Sequence, residues 1–152
     1  MTHFLTDGPT DAFARILLAH GAGAPMDSPF MTVMSALLNE RGLAVSRFEF
    51  AYMAARRTGG KKRPPPKSEL VAPEYIAAVE ALRATMPAGQ RLVISGKSMG
   101  GRVASLVADT LREEDRISGL VCLGYPFHPP ARPENLRTSH LASLVTPALI
   151  VQ

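Results

Sequence analysis

Two rhythms alternate along the chain. Short apolar runs at residues 15–19, 91–95, 117–124 and 147–152 are too brief and too evenly apolar for surface helices and predict buried strands. Residues 44–50, Ala44-Val45-Ser46-Arg47-Phe48-Glu49-Phe50, alternate apolar with polar and predict a further strand, five in all. Between these runs the spacing lengthens to three and four. Phe30, Val33, Met34, Leu37 and Leu38 predict a helix that Ser28 caps with its hydroxyl, that Pro29 opens and that Gly42 ends. Ile76, Val79, Ala81 and Leu82 predict a second helix over 73–86. A third runs from Gly101 to about residue 112, and a short one covers 136–144. Residues 51–68, with Gly59-Gly60 and Pro64-Pro65-Pro66, read as an irregular loop, and residues 125–133 as a proline-rich crossing. Strands alternating with helices predict a mostly parallel five-stranded sheet covered on both faces, in one domain spanning residues 1–152.

The densest chemistry lies at Gly96-Lys97-Ser98-Met99-Gly100, a G-x-S-x-G pentapeptide that leaves a predicted strand and enters a predicted helix. That context is the nucleophile elbow: glycines permit a sharp turn and serine projects from the top of the sheet at the head of a helix. The Met99 N–H, directly after the serine, is a candidate oxyanion donor. The second donor belongs in the loop after the first strand, where His20-Gly21-Ala22-Gly23 stands and its glycines allow close backbone approach. Ser98 is therefore the candidate nucleophile, and Met99, Gly21, Ala22, Gly23, His20 and His128 are the candidates for oxyanion or substrate contact.

Composition narrows the class. The chain has 152 residues, 46% of them hydrophobic, enough for one packed core. Its longest apolar runs fall well short of the roughly 18 residues that a membrane span needs, and the expectation is no membrane. Residues 1–7 lack the basic and apolar regions of a signal peptide. Cys122 is the only cysteine and sits in an apolar run, which reads as a buried small hydrophobe and fits a cytoplasmic location. The net charge of +4 is uneven: Arg56, Arg57, Lys61, Lys62, Arg63 and Lys67 crowd one stretch that holds no acid, while the rest of the chain is slightly acidic. That stretch reads as a solvated loop, or as an active-site flank that selects anionic or polar substrates, or as a docking surface for an acidic partner. Nucleic acid is not expected, for want of interleaved aromatics and of a recognisable binding fold.

The chain resembles the α/β-hydrolase superfamily, and within it the small dienelactone-hydrolase-like group that includes testis-expressed protein 30 and the hydrolase-like subunit of the NSL complex. The resemblance rests on His20–Ala24, Met26–Met31, Arg47–Met53, the basic-proline stretch Lys61–Lys67, Gly96–Gly101 and Gly124–Pro130, and covers most of residues 15–152. It implies a three-layer α/β-hydrolase-like sandwich with the strands, numbered along the chain, in spatial order second, first, third, fourth, fifth. It also implies Ser98 as nucleophile. Such proteins present serine, then acid, then histidine. The acid normally follows the strand that here begins at Pro147, so the expectation is a fold whose C-terminal part, with the acid and base, lies beyond Gln152.

Other side chains have plainer readings. Gly96-Lys97-Ser98 lacks the upstream glycine of a phosphate loop, since Arg91 stands there. His20 at a strand end reads first as a hydrogen-bonding loop anchor, His140 as a surface residue, His3 as part of a tail and Asp27 as a helix cap. His128 follows the strand beside the elbow and is expected to overlook the site. The four histidines lack metal-ligand spacing, so no metal and no cofactor are expected. The leading function is a serine hydrolase of a small ester, thioester or lactone. The alternative is a non-catalytic scaffold that binds a partner through its basic loop.

Overall fold

A computed structural model describes residues 2–152. Six strands form one sheet: β1 (Phe4–Asp7), β2 (Ala14–Ala19), β3 (Ala44–Phe48), β4 (Arg91–Lys97), β5 (Gly119–Leu123) and β6 (Ala148–Val151). Their spatial order is β1-β3-β2-β4-β5-β6. β2 to β6 are the five expected strands, parallel and in the expected order. β1 is an addition where a tail was expected: it pairs antiparallel with β3, Phe4 opposite Phe48 and Asp7 opposite Val45. The anchor is Asp7, whose Oδ2 accepts from Arg47 Nη2 at 2.6 Å and from Ser35 Oγ at 2.9 Å.

Helices α3 (Ser68–Arg83) and α4 (Met99–Glu113) cover one face of the sheet. They enclose the larger core, in which Tyr75, Val79, Val103 and Leu111 pack on Leu17, Phe48, Ile94 and Leu120. Helix α1 (Pro29–Asn39) covers the other face, with Met31 against Ile16, Leu18 and Val45. The inward face of α1 is Met31, Met34, Ser35 and Leu38, so the expected stripe is correct only at Met34 and Leu38. Val33 and Leu37 are 58% and 50% exposed. Ser35 turns inward because its hydroxyl donates to Asp7, a partner that the hydrophobic pattern does not encode.

Four local expectations are corrected. Residues 51–57 are not loop but helix α2 (Ala51–Arg57), whose first N–H donates to Glu74 Oε2 at 2.7 Å. Helix α3 starts at Ser68, and Pro73 sits in its second turn rather than opening it. Ser28 occupies the cap position of α1, but its hydroxyl makes no cap bond; its carbonyl accepts from Thr32 N instead. The short helix near 136–144 is a 3-10 turn over Ser139–Ser143. Among the described residues no helix is long and apolar enough to cross a membrane.

Candidate active site

β4 ends at Lys97 and α4 begins at Met99, so the chain reverses at the single residue Ser98. Its φ of 49° and ψ of −115° lie in a region that L-residues avoid, a strain of about 1–3 kcal/mol. Backbone bonds on both sides hold it there. Ser98 N donates to Leu123 O of β5 at 2.8 Å, and Ser98 O accepts from Arg102 N at 3.1 Å. The glycines are required by contact rather than by dihedral angle. A Cβ on Gly96 would stand 2.2 Å from the Gly100 carbonyl carbon, and one on Gly100 would stand 2.5 Å from the His20 carbonyl oxygen. The helix head is thus pressed onto the ends of β2 and β4 with no room for a methyl group.

The loop after β2 meets this turn. A Cβ on Gly21 would lie 3.8 Å from Ser98 Cβ. Ala22, Ser98 and Met99 line one cavity of about 600 Å³, together with Lys67, Arg102 and His128. The Met99 amide is the first of α4, where helical N–H groups have no acceptor in their own helix. Gly23 faces open space. Serine hydroxyl, helix N-terminus and glycine loop, far apart in sequence, therefore share one concave surface at the carboxyl ends of the parallel strands.

His20 is buried beneath this loop. Its Nδ1–H donates to the Gly21 carbonyl at 2.6 Å and its Nε2 accepts from Phe50 N at 3.2 Å, which assigns the neutral tautomer. Burial holds its pKa below the usual histidine value, against the Gly21 bond, which acts the other way. The ring is a scaffold for the loop and no part of the cavity surface. Tyr52 adds a second support, its hydroxyl donating to the Ala22 carbonyl at 3.1 Å. Sequence pattern alone assigned Tyr52 no role, because its helix was read as loop.

His128 reaches the cavity wall, where its Nδ1–H donates to the Pro129 carbonyl at 2.9 Å and its ring makes no hydrogen bond to Ser98. His140, expected at the surface, is half-buried: its Nε2 lies 2.8 Å from Ser105 Oγ and 3.5 Å from the Tyr125 hydroxyl. Burial and the nearby Arg102 charge lower its pKa. Asp27 does not cap α1 but receives both Arg57 terminal nitrogens, at 2.8 and 3.0 Å. Lys97 Nζ stands 4.4 Å over the Phe30 ring, a cation–π contact that draws it to α1. Cys122 is buried, its thiol pushed up to about 12 by desolvation, and is inert as a nucleophile.

Three charged residues of the wall escaped sequence reasoning. Arg102 donates to Glu69 Oε1 at 2.6 Å, and Arg137 lines the same cavity from the proline-rich crossing. Helical spacing places Arg102 one turn after Ser98, which is the only signal that pointed to it. A second cavity of about 600 Å³ opens beside α2 and β1, lined by Glu49, Arg57 and Glu74. Ser98 takes no part in it, and its charges are largely consumed in the Arg57 ion pairs with Asp27 and Glu49. Among the described residues no group of three His, Cys, Asp or Glu side chains is placed to hold a metal ion.

The family described as alpha/beta hydrolase domain matches residues 12–152. The chain belongs to that family. Among solved structures, this hydrolase-family chain resembles a dienelactone hydrolase from Anabaena variabilis, with 24% identity over 97% of this chain and 65% of that one and a TM-score of 0.70. It also resembles an α/β serine hydrolase without a lid from Xanthomonas campestris, with 20% identity over 99% and 82% and a TM-score of 0.65. Est1E from Butyrivibrio proteoclasticus, solved with ferulic acid, matches at 19% identity and a TM-score of 0.62, over 82% of this chain and 49% of that one. The chain thus spans about half the length of Est1E and less than two thirds of the Anabaena enzyme. At these identities the likeness is one of fold.

Proposed function

We propose that the protein is a serine hydrolase of a small ester, thioester or lactone, with Ser98 as nucleophile on a nucleophile elbow. The observation that carries this is the strained Ser98 backbone, φ 49°, at a strand-to-helix turn whose cavity also holds Ala22 and Met99. Strain of this kind persists where the surroundings enforce it, and here glycine contacts and two backbone bonds do so.

In this scheme Ser98 Oγ bonds to the carbonyl carbon and its proton passes to a base. Met99 N–H and an N–H of the Gly21–Gly23 segment hold the oxyanion. Collapse breaks the bond to the alcohol or thiol, which leaves with a proton, and water then releases the acid and restores Ser98. No cofactor enters. His128 makes no hydrogen bond to Ser98 and is not assigned as the base. The acid and the base of this scheme are not assigned among residues 2–152. We also assign the chain to the small dienelactone-hydrolase-like group, on the segments at 26–31, 47–53 and 124–130.

The test is labelling of the protein, in a form that carries the acid and the base, with a fluorophosphonate probe, followed by peptide mass spectrometry. An adduct on Ser98 that Ser98→Ala removes supports the assignment. No adduct on Ser98 favours the scaffold alternative.

A further inference from the structure

Four arginines of this fold pair with carboxylates: Arg47 meets Asp7, Arg57 meets Asp27 and Glu49, Arg102 meets Glu69, and Arg116 meets Glu80 and Glu114. One group of basic residues instead lines a cavity beside the candidate site. Arg56, Lys62 and Arg63 line a cavity of about 370 Å³ together with Ala22, Gly23 and Pro65, and no acidic residue lines it. Three positive charges around one cavity with no acidic residue in its lining make a surface that favours an anion.

Arg56 is the fixed member of the cluster, while the Lys62 and Arg63 side chains are exposed. Arg56 lies over the Tyr52 ring, 5.5 Å from its centroid, and its Nη2 donates to the Arg63 carbonyl at 2.9 Å. Helix α2 thereby fixes the strap that carries Lys62 and Arg63, and Pro64-Pro65-Pro66 restrict the backbone beyond it. The same Tyr52 holds the Ala22 carbonyl. Ala22 and Pro65 also line the Ser98 cavity, so the two cavities adjoin across these residues.

We infer that the cavity of Arg56, Lys62 and Arg63 is a phosphate subsite, and that the substrate is an ester or thioester bearing a phosphate or pyrophosphate on the arm that leaves Ser98 past Ala22. The inference rests on Ser98 being the nucleophile. Guanidinium forks and an ammonium match the oxygens and charge of a phosphate dianion better than those of a single carboxylate. The volume admits a small anion, not a folded domain.

The first experiment is calorimetric titration of the chain with inorganic pyrophosphate at fixed ionic strength. Binding should weaken at least tenfold in Lys62→Ala/Arg63→Ala and stay unchanged in Arg41→Ala/Arg91→Ala, a charge-matched control at two exposed sites away from the strap. No binding, or equal weakening in both variants, overturns the subsite. Tighter binding of polyglutamate than of pyrophosphate overturns it in favour of an acidic protein partner. Strap-dependent sedimentation with phosphatidylglycerol vesicles, without pyrophosphate binding, overturns it in favour of a lipid surface. The second experiment measures fluorophosphonate labelling of Ser98 in a form of the protein that carries the acid and the base, since a serine hydroxyl without a base is a weak nucleophile. Pyrophosphate should slow it in the unaltered protein and leave it unaffected in Lys62→Ala/Arg63→Ala. Labelling that bound pyrophosphate does not slow overturns the link to the substrate. Absence of any Ser98 labelling sinks the hydrolase assignment and the link with it, whereas the titration judges the anion site alone.

Discussion

The Tyr75 hydroxyl accepts the Ser95 N–H at 3.1 Å and lies 2.7 Å from the Ser95 carbonyl oxygen, three residues before the strained turn. It also lies 3.1 Å from the Leu17 carbonyl oxygen, so one phenol bridges β2 and β4 from within α3. Burial raises its pKa and keeps it protonated. Tyr75→Phe would remove the buried hydrogen bonds that this phenol makes to β2 and β4, a loss of about 0.5–1.5 kcal/mol. Urea unfolding should show this as a lower midpoint at unchanged slope. A loss under about 0.5 kcal/mol would mean that the backbone finds other partners.

Strain at Ser98 gives a second expectation. Ser98→Gly and Ser98→Ala both delete the hydroxyl, but only glycine adopts φ 49° freely. Glycine loses about 0.5–1 kcal/mol in chain entropy and recovers strain of about 1–3 kcal/mol. The glycine variant should therefore melt above the alanine variant, and neither should accept a fluorophosphonate. An alanine variant at least as stable as the glycine variant would show that the turn is unstrained.

Gly100→Ala should be severe. Its methyl group would meet the His20 carbonyl oxygen at 2.5 Å and the Ala19 carbonyl oxygen at 2.8 Å, both fixed backbone. Overpacking of this kind costs about 1–3 kcal/mol, and α4 must lift from β2 to accommodate it. A drop in melting temperature together with lost Ser98 labelling is expected. Gly42→Ala, in a turn with nothing within 4 Å but φ 76°, should lower stability without touching the labelling.

Two pH windows follow from the titratable groups. His20 and His140 are both held below the ordinary value of 6.5, burial being the first cause in each. Between 6.5 and their folded values the unfolded chain binds more protons, so stability is full above about pH 6.5 and declines as pH falls towards those values. His140→Gln, which keeps a donor for Ser105, should make that decline shallower. Asp27 is depressed chiefly by its Arg57 bonds; Glu49 is depressed because Arg57 and the Met26 N–H outweigh a burial effect that acts upward. Their contribution is present above the ordinary carboxylate range and is lost as pH falls through the lower folded values. Arg57→Ala should lower stability at pH 7 and flatten the unfolding curve below about pH 4. Urea midpoints from pH 8 to pH 3 check both windows.

The sequence by itself determined the five parallel strands, the helices that cover them and the tight turn at Gly96–Gly100. Each of these is written in residues a few positions apart: a run of apolar side chains records its own burial, and glycines at Gly96 and Gly100 record a close backbone approach. Only the tertiary structure decided what hangs on distant partners. β1 exists because Asp7 finds Arg47 across 40 positions, and α2 is anchored where Ala51 N–H finds Glu74 across 23. His140 left the surface because Ser105 lay 35 positions upstream on α4. The basic stretch read as one run of charge, yet the fold divided it: Arg57 went to Asp27 and Glu49, while Arg56, Lys62 and Arg63 stayed together beside Ala22. Local periodicity reports whether a side chain avoids water, whereas the partner of a charge or a hydrogen bond is chosen by geometry that exists only after the chain has folded.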